Sequence, residues 1–159
     1  MTNSTHPLGA SLILEVPLST GGAKDADIAS ARADLQRRSA ELALAEQTLR
    51  QQVLDLHLSP ALEEYIVQLV LASRDPGKWD EDLSRLVSFG GSPRATIALD
   101  RCARALAWLD GRDYVSPDDV RGVAHDVLRH RVLLSYEAEA DGVTVDELTD
   151  RLLDLVPVP

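Results

Sequence analysis

The chain has 159 residues, with 16 Lys plus Arg against 26 Asp plus Glu, one cysteine and 45% hydrophobic residues. A net charge of -10 excludes a phosphate-tracking nucleic-acid binder, which needs a basic stripe to displace counterions. The single cysteine excludes an internal disulfide, and a chain of this length buries roughly two-thirds of its unfolded surface without needing one. Apolar runs such as Leu12 to Leu14 and Val132 to Leu134 fall far short of the roughly 20 residues that span a bilayer, and no basic-then-apolar leader follows Met1. A soluble, cytoplasmic chain without a membrane span is expected.

Residues 1–24 are rich in Ser, Thr, Gly and Pro and read as a flexible arm with one short strand, Leu12 to Leu18. Pro17 removes a ladder donor there and suits a sheet edge. Residues 25–58 contain no Gly or Pro and are dominated by Ala, Leu, Glu, Gln and Arg, predicting one long helix or two joined near Ser39. Leu35, Leu42, Leu44, Leu49, Val53, Leu54 and Leu56 only partly share a face.

Residues 59–159 carry the dipeptide Ser-Pro three times, at Ser59-Pro60, Ser92-Pro93 and Ser116-Pro117, each ahead of a helical pattern. The serine offers an N-cap oxygen, and the proline occupies the first helical position, where its missing N–H does no harm. After the first pair, Leu62, Tyr65, Ile66, Leu69 and Val70 recur on one helix face, and Asp75-Pro76-Gly77 ends the run. A short amphipathic piece with Trp79, Leu83, Leu86 and Val87 follows and is broken by Gly90-Gly91. The next helix, Pro93 to Asp110, is expected to bury Ala95, Ala98, Cys102, Ala105, Leu106 and Leu109, with Gly111 as its C-terminal cap. Asp119 lies three residues after Ser116, an acidic version of the capping box, and its helix carries Val120, Val123, Ala124, Val127 and Leu128 to about His130. Val132 to Tyr136 reads as extended. Thr144 and Glu147 form another capping box before Val145, Leu148, Leu152, Leu153 and Val156. The fold class is all-α: a small helical bundle with a long N-terminal helical segment and at most one or two short strands.

Independent catalysis finds no support. His6, His57, His125 and His130 have no Cys or acidic partners at ligand spacing, so no metal site is expected. Cys102 on an Ala-rich helix face reads as core rather than nucleophile, and no Gly-x-Ser-x-Gly elbow is present. Ser19-Thr-Gly-Gly-Ala-Lys24 superficially resembles a phosphate loop but lacks the G-x-x-x-x-G-K-[ST] spacing, and Asp25 follows the lysine.

One polar feature is aimed. Gly90-Gly91-Ser92-Pro93-Arg94 places an arginine in the first turn of a helix, where unpaired N–H groups and the macrodipole favour acids. Arg94, the open N–H groups and the glycines together suit an anion such as phosphate. On the local pattern alone, a surface arginine paired with Asp100 or another acid of this acidic chain is the more ordinary reading.

Gly91-Ser-Pro-Arg-Ala95 followed by an Ala-rich helix, and then Gly111-Arg-Asp-Tyr-Val-Ser-Pro-Asp-Asp-Val120, resemble the C-terminal lid of MoxR-type AAA+ ATPases. His130 to Thr144 is similar to the segment that closes this lid and Ser59 to Arg74 to its opening helix, so the resemblance covers about residues 40 to 159. It implies that residues 59–159 form the lid bundle and that Arg94 is the sensor-2 arginine, reaching the phosphates of a nucleotide held by an AAA+ core. Ser92 and Pro93 would shape the helix start, and Gly90 and Gly91 would allow the turn. The resemblance further implies ATP or ADP with Mg²⁺ as cofactor of the complete protein, none bound tightly by this chain alone, and no catalytic residue in this chain. It also implies ring assembly with neighbouring subunits, commonly hexameric, and chaperone-like remodelling of clients, often von Willebrand A-domain proteins. The family's phosphate loop, magnesium-holding acids, sensor 1 and arginine finger have no counterpart here, and residues 1–38 do not match it. An alternative from a different class is a stand-alone helical protein-interaction module without a nucleotide role, using the residue 25–58 helix for self-association or partner binding.

Overall fold

The computed structural model describes residues 22–159. The expected arm and the strand at Leu12 to Leu18 lie outside the described residues, apart from the arm's last three positions. Gly22 is in a turn, and Ala23 and Lys24 already belong to the first helix. Two compact units, Met1–Ala45 and Glu46–Pro159, divide the chain.

The first helix, α1 (Ala23–Leu54), is continuous, so the alternative of two helices joined at Ser39 is not realised. Ser39 sits within it, its hydroxyl donating to the Gln36 carbonyl at 2.8 Å. That local bond lets a serine remain mid-helix without competing for the helical N–H ladder. No residue of α1 is buried.

The second unit is a helical bundle of α2 (Pro60–Arg74), α4 (Pro93–Leu109), α5 (Pro117–Leu128) and α7 (Val145–Leu155), with the short helices α3 (Glu81–Ser84) and α6 (Tyr136–Ala140) between them in sequence. A two-stranded antiparallel sheet, β1 (Val87–Phe89) with β2 (Leu133–Leu134), pairs Val87 with Leu134 and Phe89 with Leu133. The expected amphipathic piece after Pro76 is thus a short helix followed by a strand. Leu83 is buried, whereas Trp79 remains 37% exposed. The expected extended run Val132 to Tyr136 is shorter, because Ser135 accepts the Ala138 N–H at 3.1 Å and starts α6 at Tyr136.

Several ends of the main helices follow from local chemistry. Ser59 accepts the Leu62 N–H at 3.2 Å, and Thr144 and Glu147 exchange the two bonds of a capping box. The α4 helix ends in a Schellman arrangement: Gly111 at φ +73° donates to Trp108 O, and Arg112 to Ala107 O, both at 3.0 Å. Only glycine adopts that backbone without steric cost.

The core is Leu62, Ile66 and Leu69 of α2, Leu99 of α4, Val120, Ala124 and Leu128 of α5, and Leu148 and Leu152 of α7, all at or below 1% exposure. One expectation is corrected here. The buried row of α4 is Ala95, Leu99, Ala103 and Ala107, while Cys102 and Leu109 are exposed. Alanines occur all round α4, so apolar character alone does not choose a face; the four-residue row that packs against α2 and α5 does. Three alanines in that row let the neighbouring helices approach closely.

Candidate functional site

Helix α2 and the turn before α4 meet through Ser73. Its buried hydroxyl donates to Val70 O at 2.7 Å and accepts the Gly91 N–H at 3.0 Å. A Cβ on Gly90 would lie 2.1 Å from the Ser73 carbonyl oxygen and 2.5 Å from Arg74 Cα. A Cβ on Gly91 would lie 3.3 Å from both Ala95 Cβ and Ser73 Oγ. Neither glycine has a positive φ. Gly90 is therefore needed for the close approach of the turn to the end of α2, while at Gly91 a side chain would press on Ala95 and Ser73 without meeting backbone.

That approach aims the start of α4. Ser92 sits in the extended region at φ -76° and ψ 167° and makes no side-chain cap bond. Pro93 takes the first helical position, and Ala95 N–H turns back to Ser92 O at 2.7 Å. Arg94 follows, exposed, with no hydrogen bond or ion pair among the described residues. Its alternative partner, Asp100, binds Arg104 Nε instead at 2.7 Å. The other described α-helices all carry Asp or Glu in their first turn, and α4 carries none. An uncapped N-terminus beside an unneutralised guanidinium can receive an anion.

Arg74 and residues 88–93 line an open cleft of about 360 Å³ at this turn. Arg94 is not among the lining residues. Arg74 is exposed and likewise without a hydrogen bond or ion pair among the described residues. Sequence reasoning missed it, because its place beside the glycine turn depends on Ser73 binding Gly91 eighteen residues away.

The far end of α4 is held by a charge clamp. Arg112 grips Asp119 with both terminal nitrogens, Nη1 to Oδ2 at 2.7 Å and Nη2 to Oδ1 at 2.5 Å, and reaches Asp110 at 2.9 Å. Asp119 also accepts the N–H and hydroxyl of Ser116 at 2.7 and 2.8 Å. The Arg112 guanidinium, with help from Ser116 and against the opposing effect of burial, holds the Asp119 carboxyl well below its ordinary range, at about 2. Arg104 also secures the bundle, donating to the carbonyls of Leu54 and Leu56 at the end of α1.

Among the described residues no group of His, Cys, Asp and Glu could hold a metal ion. His125 meets an acid after all, its Nε2 lying 2.9 Å from Asp150 Oδ1 on α7; the pairing is a tertiary one between residues far apart in sequence. No helix among the described residues is long and apolar enough to cross a membrane.

Residues 81–152 match the family described as AAA lid domain. The chain is 44% identical over 100 residues to Chaperone MoxR1 of Mycobacterium tuberculosis, a match covering 62% of this chain and 26% of that protein. It is 42% identical over 110 residues to Protein MoxR of Paracoccus denitrificans, covering 65% of this chain and 32% of the relative. A crystal structure of a candidate ATPase from Cytophaga hutchinsonii superposes with a TM-score of 0.67 at 38% identity, covering 69% of this chain and 33% of that one. The chain thus spans about a quarter to a third of the length of the proteins it matches. The helical bundle, the lid-family match and the MoxR-named relatives agree: this chain carries an AAA lid domain, similar in sequence to the corresponding part of MoxR-named proteins.

Proposed function

We propose that this lid serves an AAA+ ATPase core, with Arg94 as the sensor-2 group that contacts nucleotide phosphate and couples nucleotide state to remodelling of a partner protein. The observation that carries the reading is the unpaired Arg94 guanidinium on the uncapped, acid-free first turn of α4. In a chain of net charge -10, a cation left without a carboxylate is available to a ligand. Gly90, Gly91, Ser92 and Pro93 hold the helix start in place, and Arg74 adds a second cation beside the same turn. The fit to nucleotide is partial and asymmetric: these residues supply positive charge for phosphate, while the magnesium-holding groups belong to the core. When bound there, ATP with Mg²⁺ supplies the hydrolysis energy; this chain's residues contribute contact and orientation. Domain boundaries follow the same reading, with the lid over residues 59–159 and the residue 25–58 helix leading into it. Ring assembly, a hexamer as the commonest form, von Willebrand A-domain clients and a cytoplasmic setting complete the proposal.

An NMR titration of the labelled chain with ADP and with ATP plus Mg²⁺ tests it, following the amides of Gly91 to Thr96. The same titration is repeated with a MoxR AAA+ core freed of its own lid. Localised shifts that vanish in Arg94→Ala are expected. Absence of such shifts in both settings defeats the sensor-2 assignment.

A further inference from the structure

Helix α1 has 32 residues and buries none of them, giving a rod about 48 Å long at 1.5 Å per residue. Along it Ile28, Leu35, Leu42 and Leu49 recur at every seventh position, with exposures of 49%, 72%, 61% and 42%. A seven-residue step drifts by only about 20° on a straight helix, so the four make one ridge with a slight left-handed wind. That period supplies one of the two seam positions by which paired helices wrap around each other. Three positions further on in each repeat stand Ala31, Arg38, Ala45 and Gln52, two of them small enough to let another helix approach.

We propose that α1 pairs antiparallel with α1 of a second copy of this chain, the leucine ridge of each helix seated on the alanine-bearing strip of the other. The charges select the orientation. In a parallel, in-register pair, Arg38 would meet its own copy across the axis, placing like charges in the seam. Antiparallel pairing sets Leu35 against Ala45, Leu49 against Ala31, and Leu42 against Arg38, whose aliphatic stem can cover the leucine while the guanidinium stays in water. On one flank this register brings Arg32 to Glu46 of the second copy, and the two-fold axis repeats the pair. Arg32 makes no hydrogen bond or ion pair among the described residues, and the ion pair of Glu46 within its own helix is a long 3.9 Å contact with Arg50. On the other flank the same register sets two acids near the second copy, Glu41 beside its own counterpart and Asp34 beside Thr48. Arg37 of the same helix neutralises both, at 3.2 and 4.0 Å. The flank that needs a partner is thus the one that gains one. This pairing involves neither Arg94 nor nucleotide, so it stands apart from the sensor-2 reading.

Sedimentation equilibrium of the full chain tests the proposal. The expected result is a concentration-dependent rise from 17.3 kDa to twice that mass. Leu35→Gln with Leu42→Gln keeps helix propensity and removes the ridge; it should leave a monomer whose near-UV signal from Trp79 and Trp108 is unchanged. Arg32→Glu should raise the midpoint concentration for association about tenfold, and adding Glu46→Arg should restore it. A chain that stays at 17.3 kDa into the millimolar range overturns the pairing, as does a dimer indifferent to loss of the two leucines. A dimer lost with the leucines but not rescued by the charge exchange overturns the antiparallel register.

Discussion

Replacing Asp119 by Asn removes one charge from the clamp at the end of α4 and leaves its shape nearly unchanged. The native carboxyl has a pKa of about 2 against an ordinary value of 3.8. At about 1.4 kcal/mol per pH unit, and with the partial exposure of Arg112, 26%, taken into account, that difference is worth on the order of 2 kcal/mol. The sign is fixed by linkage. A carboxyl whose folded pKa is depressed stabilises the fold above its unfolded pKa, and that stability is lost as pH falls through the folded value. Urea unfolding of the native chain and Asp119→Asn at pH 7, 4 and 3 should therefore give a gap that is full at pH 7, nearly full at pH 4 and about half as large at pH 3. Taking the difference between the two proteins cancels the other titrating groups. A gap that keeps its size down to pH 3, or that is under about 0.5 kcal/mol at pH 7, would refute the assignment of Arg112 and Asp119 as a charge-dependent clamp.

Gly90→Ala should cost about 2 to 4 kcal/mol in the same assay, because its Cβ would sit 2.1 Å from the Ser73 carbonyl oxygen, which is backbone and cannot swing aside. Gly111→Ala meets nothing within 4 Å but forces alanine to φ +73°; the expected loss is about 1 kcal/mol, read as a shift in urea midpoint without a change in slope. Leu99→Ala empties a fully buried position between α2, α4 and α5 and should cost about 2 to 5 kcal/mol in urea unfolding. Arg94→Ala should leave stability within about 0.5 kcal/mol of the native chain in that assay, since no described residue is bound to the guanidinium. Cys102, exposed on α4, should react fully with a maleimide reagent in the folded chain, as judged by mass spectrometry without denaturant; protection until unfolding would mean that this face of α4 is covered.

The sequence by itself determined the helical architecture and most of its punctuation. Ser59, Thr144 and the pair Ser116 with Asp119 act on N–H groups within three residues, and Gly111 acts on carbonyls within the turn before it, so short-range chemistry suffices to place those helix ends. The face of α2 was equally legible, since Leu62, Tyr65, Ile66, Leu69 and Val70 stand out against polar neighbours. On α4 the same reasoning failed, because alanines surround the helix and only its packing partners distinguish Ala103 from Cys102. Arg94 could be singled out from sequence, as a cation at a position that favours acids. Its lack of a partner, the capture of Asp100 by Arg104, and the presence of Arg74 beside the turn were decided by tertiary structure. So was the reason for Gly90, whose missing Cβ matters only because the end of α2 lies against it. Local bonds are written in neighbouring residues; a contact between segments eighteen or more residues apart depends on how every intervening helix packs, and no window of sequence contains that information.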